Sequence, residues 1–150
     1  MLAEYMFAIY IESTRAIPYA AAIVEGFKTM ETRKRDVFKS IFEYNNTAAI
    51  VAVIQTGRGK APEVIGYITL HKGRKIWADQ FQSKENFEKH LIPPGSKYDI
   101  GNAAFKWAYE CSNATPCKPY PVPENKINHG RSYCEIPRPD YIKNDLLFSC

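Results

Sequence analysis

Three histidines, His71, His90 and His129, are the natural general acids and bases in this chain. None belongs to an HExxH, HxxxH, HxH or HxT pattern, and neither a GxSxG elbow nor a DxD carboxylate pair occurs. His71 follows an apolar run and reads as a strand-end residue as readily as a base. The spacing therefore favours binding over turnover, and we expect no enzyme. A catalytic set assembled from distant residues stays open as the alternative.

Anion binding is the chemistry the residue types offer. Thr56-Gly57-Arg58-Gly59-Lys60 lacks the GxxxxGK[ST] spacing and runs between two strands, so it is no nucleotide P-loop. It reads as a basic hairpin loop presenting Arg58 and Lys60. The planar guanidinium of Arg58 can grip a phosphate through two hydrogen bonds. Lys72-Gly73-Arg74-Lys75-Ile76-Trp77 places three cations around a glycine, with Trp77 beside them and Phe81 farther along. Aromatic rings next to cations can stack a base while the cations hold its phosphate. Trp77 as an ordinary core residue is the competing reading. Arg15, just before a helix, is a fourth candidate, because helix N-termini favour anions.

Four cysteines invite a disulfide or metal reading. Cys111, Cys117, His129 and Cys134 are the nearest thing to a zinc set, but the first gap is wider than a zinc knuckle prefers. We expect thiols without a metal, and no cofactor. Met1 to Ile11 lacks the basic start and cleavage site of a signal peptide, and no apolar run approaches a membrane span. The expected address is the cytoplasm.

At 150 residues, 45% hydrophobic and 24% charged, the chain has the size and make-up of one globular domain over residues 1–150. The net charge of +4 is concentrated. Residues 33–75 hold nine basic groups against Asp36, Glu43 and Glu63, whereas the flanks are neutral or acidic. A modest, local positive field suits a small phosphorylated ligand better than duplex DNA.

The elements that would carry these residues read as an α+β fold with two to three helices. Tyr5 to Ile11 is a strand, and helical spacing over 16–28 follows. Val37 to Tyr44 alternates and reads as a strand, with Asn45-Asn46 as its turn. Thr47 to Thr56, Val64 to Lys72 and Lys75 to Phe81 complete an antiparallel meander of four to five strands. Ser83 opens a short helix. Asp99 caps another over 100–112, apolar on two sides, as a helix with two neighbours would be. About 1–114 forms the core. Prolines from Pro116 onward forbid long regular elements, so 115–150 reads as an extended tail lying on the core or on a neighbouring subunit.

Several segments resemble a known family. Ser13-Thr14-Arg15-Ala16-Ile17, Ile23-Val24-Glu25-Gly26-Phe27, Val37 to Ile54 and Ile65 to Phe81 are similar to the first Thoeris anti-defence family of bacteriophages. That resemblance implies a non-catalytic, oligomeric sponge in the host cytoplasm. It would sequester cyclic ADP-ribose isomers made by TIR proteins, and in some members cyclic oligonucleotides at separate sites. Under it, Trp77 or Phe81 would sandwich the base. Arg15, Arg58, Arg74 and Lys75 would hold the diphosphate, with Lys72 a further binding residue, and Asn86 would reach a ribose hydroxyl. A homo-oligomer is the expected assembly. The alternatives are a small nucleotide-processing enzyme and a nucleic-acid- or protein-binding inhibitor of a host system.

Overall fold

A computed structural model describes residues 4–43, 46–123 and 132–142. Among these residues its centre is a seven-stranded mixed sheet with three helices. In chain order the elements are β1 (Tyr5–Glu12), α1 (Tyr19–Val24), β2 (Met30–Arg33), a 3-10 turn (Lys39–Phe42), β3 (Ala48–Thr56), β4 (Glu63–His71), β5 (Arg74–Trp77), α2 (Ala78–Phe81), α3 (Lys84–His90), β6 (Phe105–Pro121) and β7 (Tyr133–Pro137). The strand order is β2-β6-β4-β3-β1-β7, with β5 paired to the start of β6. β1 and β3 run parallel, and every other described pairing is antiparallel.

Period-two alternation gives the central strands two buried faces. In β1, Met6, Ala8 and Tyr10 face one side while Ile9 and Ile11 face the other; in β3, Ile50, Ala52 and Ile54 oppose Val51 and Val53. The larger core lies under α1, where Tyr19, Ala20, Ile23 and Val24 meet Val51, Val53, Ile65 and Ile68. α1 can come this close because position 66 is glycine. A Cβ there would lie 2.8 Å from the Val24 side chain and 2.7 Å from the Thr115 carbonyl. The second core joins Tyr67, Val122, Ile136 and Ile142.

Four expected elements differ. Residues 105–111, expected in a helix, begin the 17-residue strand β6. The stripe Trp107, Ala108, Cys111 fits a helix, but alternation of Phe105, Trp107 and Tyr109 with Lys106 and Ala108 fits a strand equally. Three strands waiting for partners decide between them. The helix near 16–28 is confined to Tyr19–Val24. Val37 to Glu43 holds the 3-10 turn in place of a strand, burying Phe38, Ile41 and Phe42; Tyr44 and Asn45 lie outside the described residues. The strand expected to reach Phe81 stops at Trp77 and turns into α2. The sheet thus has more strands than the four to five expected, and β5 pairs with β6 instead of β4.

The tail also departs from expectation. Pro116, Pro119 and Pro121 lie inside β6, tolerated because its ladder to β4 is broken by register shifts. β7 pairs with β1. Leu146, Leu147 and Phe148 lie outside the described residues. With 105–111 in a strand, the expected helix apolar on two sides is gone. No helix among the described residues is long and apolar enough to cross a membrane.

Candidate functional site

One cleft gathers charge from every layer of the fold. It holds about 340 Å³ and is lined by the end of β1 (Tyr10, Ile11, Glu12), Tyr19 of α1, and Lys28, Glu31, Thr32, Arg33 and Lys34 around β2. Thr56 closes one side. Ile92, Lys97 and Tyr98 of the 91–104 loop and Lys106 at the start of β6 close the other.

Lys28 lies at its floor, only 1% exposed. The chain leaves α1 through Gly26, whose φ of 85° needs a glycine, and then turns Lys28 inward. Its Nζ donates to the His90 carbonyl at 2.6 Å and stands 3.7 Å from Glu31 Oε1 and 5.3 Å from the Tyr19 ring centre. An ammonium has three N–H groups, so donor capacity remains for a guest in the cleft. Burial holds the Lys28 pKa below the ordinary lysine value, and the Glu31 carboxylate opposes that shift.

Glu31 is held in turn. Arg33 donates through Nε to Glu31 Oε2 at 3.0 Å, and its other arm reaches the Tyr10 carbonyl at 2.6 Å. The guanidinium covers the Phe38 ring. Lys106, also buried, donates to the Tyr98 carbonyl; desolvation and the charge of Lys34 lower its pKa. At the mouth, Glu12 accepts from both Lys97 and Tyr98, which keeps its carboxyl below the usual range. Tyr98 meets Tyr19 edge to face at 5.8 Å. Asp99, expected as a helix cap, instead ties the loop together through the Gly95 and Ile100 N–H groups and Gln82.

Five cations thus face two carboxylates around one concavity, with the rings of Tyr19 and Tyr98 among them. An anion with an aromatic or sugar body satisfies that lining.

None of the eight binding residues expected from the sequence lines this cleft. Arg15 and Arg58 are brought to one loop region, where Arg58 Nε donates to the Thr14 carbonyl. Lys75 and Trp77 are brought together on β5, with the Lys75 ammonium 4.4 Å from the Phe105 ring centre and 5.8 Å from that of Trp77. Lys72 is exposed at the β4–β5 turn, and Arg74 is paired with Glu110 at 3.0 Å. Phe81 is fully buried and stacked on His90 at 4.4 Å, so it cannot sandwich a base. Asn86 donates to the Gln80 carbonyl at the start of its own helix.

Lys28, Glu31, Arg33, Tyr98 and Lys106 were not singled out by sequence reasoning. No local pattern marks Lys28, Glu31 or Arg33, because 28–36 reads as a polar, charged stretch in which only Met30 is apolar. Of the sequence's metal set, Cys111 is buried and Cys117 and Cys134 are half-buried, while His129 lies outside the described residues. Among the described residues no group of three His, Cys, Asp or Glu side chains is placed to hold a metal ion.

No protein-family model and no curated protein sequence matches the chain. Solved structures do. ASCH from Zymomonas mobilis is 19% identical, with a TM-score of 0.63 over 86% of this chain and 87% of that one. A tyrosine-to-phenylalanine mutant of that protein superposes with a TM-score of 0.63 at 17% identity, covering 86% and 89% of the two chains. A serine-to-alanine mutant of it superposes with 0.61 at 15%, covering 86% and 87%. At such identities the likeness carries the architecture alone: the chain has an ASCH-like α+β fold.

Proposed function

We propose that the cleft binds a phosphorylated nucleoside, and that Lys28 is the residue that holds its anionic group. The convergence of buried Lys28 and Lys106 with Arg33, Lys34 and Lys97 supports this reading above all else. A buried ammonium costs several kcal/mol to desolvate, and an anionic guest returns part of that cost. Tyr19 and Tyr98 offer ring edges and faces to a base, and Glu12 and Thr32 offer polar contacts to a sugar. The cyclic ADP-ribose expected from the family resemblance contains these same parts, so sequestration of such a signal is one form of the proposal.

Turnover is a second form: Lys28, whose pKa burial lowers, stands 3.7 Å from Glu31 in the cleft, and a lysine that gives up its proton can act as a general base. One experiment separates the two. The protein is titrated by calorimetry with adenosine monophosphate, cyclic ADP-ribose isomers and a short single-stranded oligoribonucleotide, and the bound material is recovered after heating. Intact ligand supports sequestration; a cleaved product supports catalysis. Replacing Lys28→Met is expected to weaken binding by about tenfold or more, the worth of one charge-assisted hydrogen bond. Unchanged affinity in that variant overturns the proposal.

A further inference from the structure

His90 is fully buried, yet its imidazole is held at both nitrogens. Nδ1 accepts from the Ile92 N–H at 2.9 Å, and Nε2 lies 2.7 Å from the Phe81 carbonyl. A backbone N–H can only donate and a carbonyl can only accept, so the ring is neutral with its proton on Nε2. The ring stacks on Phe81 and meets Phe87 edge to face. These contacts fix the end of α3, where Leu91 takes a left-handed φ of 59°. The carbonyl of that same residue, His90, receives the Lys28 ammonium at 2.6 Å.

We propose that His90 is a positioning residue for Lys28: its neutral ring clamps the turn whose carbonyl aims the ammonium into the cleft, and protonation of the ring releases it. The functional use of this role rests on the reading of Lys28 given above, whereas the coupling of His90 to Lys28 is a property of the fold. A proton added at Nδ1 removes the acceptor for the Ile92 N–H and sets two donors against each other inside the core. One of them must move, and the turn carrying the His90 carbonyl is what connects them. The charged groups facing the ring are Lys28 from the turn before β2, Lys106 from β6 and Asp99 from the 91–104 loop. Burial first, then the two ammoniums, disfavour the charged ring, while the Phe81 carbonyl and Asp99 favour it. The cleft is therefore set for neutral pH and is disarmed by acid.

Substitution at this position divides the possibilities. In His90→Asn the short side-chain oxygen can accept from the N–H two residues on, as in an Asx turn, without titrating. His90→Phe keeps the stack and loses the acceptor. Side-chain NMR of the full chain gives a readout that needs no ligand. The expected results are an Nε2–H tautomer at neutral pH and a Lys28 Cε resonance that moves in step with His90 protonation. His90→Asn should keep the neutral-pH Lys28 position and lose its acid response. Adenosine monophosphate affinity in the wild type should fall by about tenfold across the His90 titration, and less in His90→Asn. An Nδ1–H tautomer, or a Lys28 resonance that is silent while His90 titrates, overturns the proposal even if His90→Phe fails to fold. Intact coupling with no nucleotide binding at any pH would reject the ligand reading and leave the positioning role standing.

Discussion

A single buried hydroxyl shows how much this fold depends on satisfied polar groups. Tyr109 is fully buried and donates to Asp36 Oδ1 at 2.6 Å, while its ring meets Phe38 edge to face at 4.9 Å. Tyr109→Phe keeps the ring contact and leaves the Asp36 carboxylate without that donor. We expect a loss of about 1–3 kcal/mol in urea unfolding, with the cleft's ligand affinity unchanged. Little of this was legible beforehand. Tyr109 was readable as apolar and buried, but its partner lies 73 positions away, and only the pairing of β2 with β6 brings Asp36 within reach. Lys28 presents the same difficulty. Its composition class is that of a solvated cation, and nothing local announces that the chain after α1 turns it inward.

At the scale of elements, the legible parts are those whose pattern admits one period. β1, β3 and β4 are long, β-branched and bounded by turn residues, and each stands within a residue or two of its expected limits. Ser83 caps α3, its side chain accepting the Asn86 N–H. Residues 105–111 satisfied both the helical and the strand period, and there tertiary pairing decided. The parallel pairing of β1 with β3 was equally out of reach, because it depends on β2 and the 3-10 turn crossing between them. Gly66 supplies a test of how α1 is seated. Gly66→Ala forces a Cβ against Val24 and the Thr115 carbonyl. We expect about 1–3 kcal/mol of destabilisation, read by thermal melting, and faster hydrogen exchange in α1. Exchange unchanged in α1 would show that the helix is held from elsewhere.

Across the whole molecule, buried ionisable groups tie stability to pH. The His90 pKa is held below its ordinary value of 6.5 by burial, so the unfolded chain takes up a proton that the folded one refuses. Its contribution is full above 6.5 and declines as the pH falls through that value toward the lower folded one. Glu12 and Asp99 act in the same direction farther down: both are depressed, and their contributions are lost as the pH falls below the ordinary carboxylate range. Below about pH 6.5 the melting temperature should therefore fall in two stages. His90→Asn should remove the first stage only. A two-stage fall that persists in that variant would assign the first stage to another group.

Central to all of this is that the concavity at Lys28, and not the exposed cations of β5 or of the 57–60 loop, receives the ligand. Backbone NMR during an adenosine monophosphate titration tests it most directly. Shifts should concentrate at Tyr10, Thr32, Lys34 and Tyr98, with Arg58, Arg74 and Trp77 unmoved. Shifts centred on Arg74 to Trp77, with Thr32 and Tyr98 silent, would contradict it.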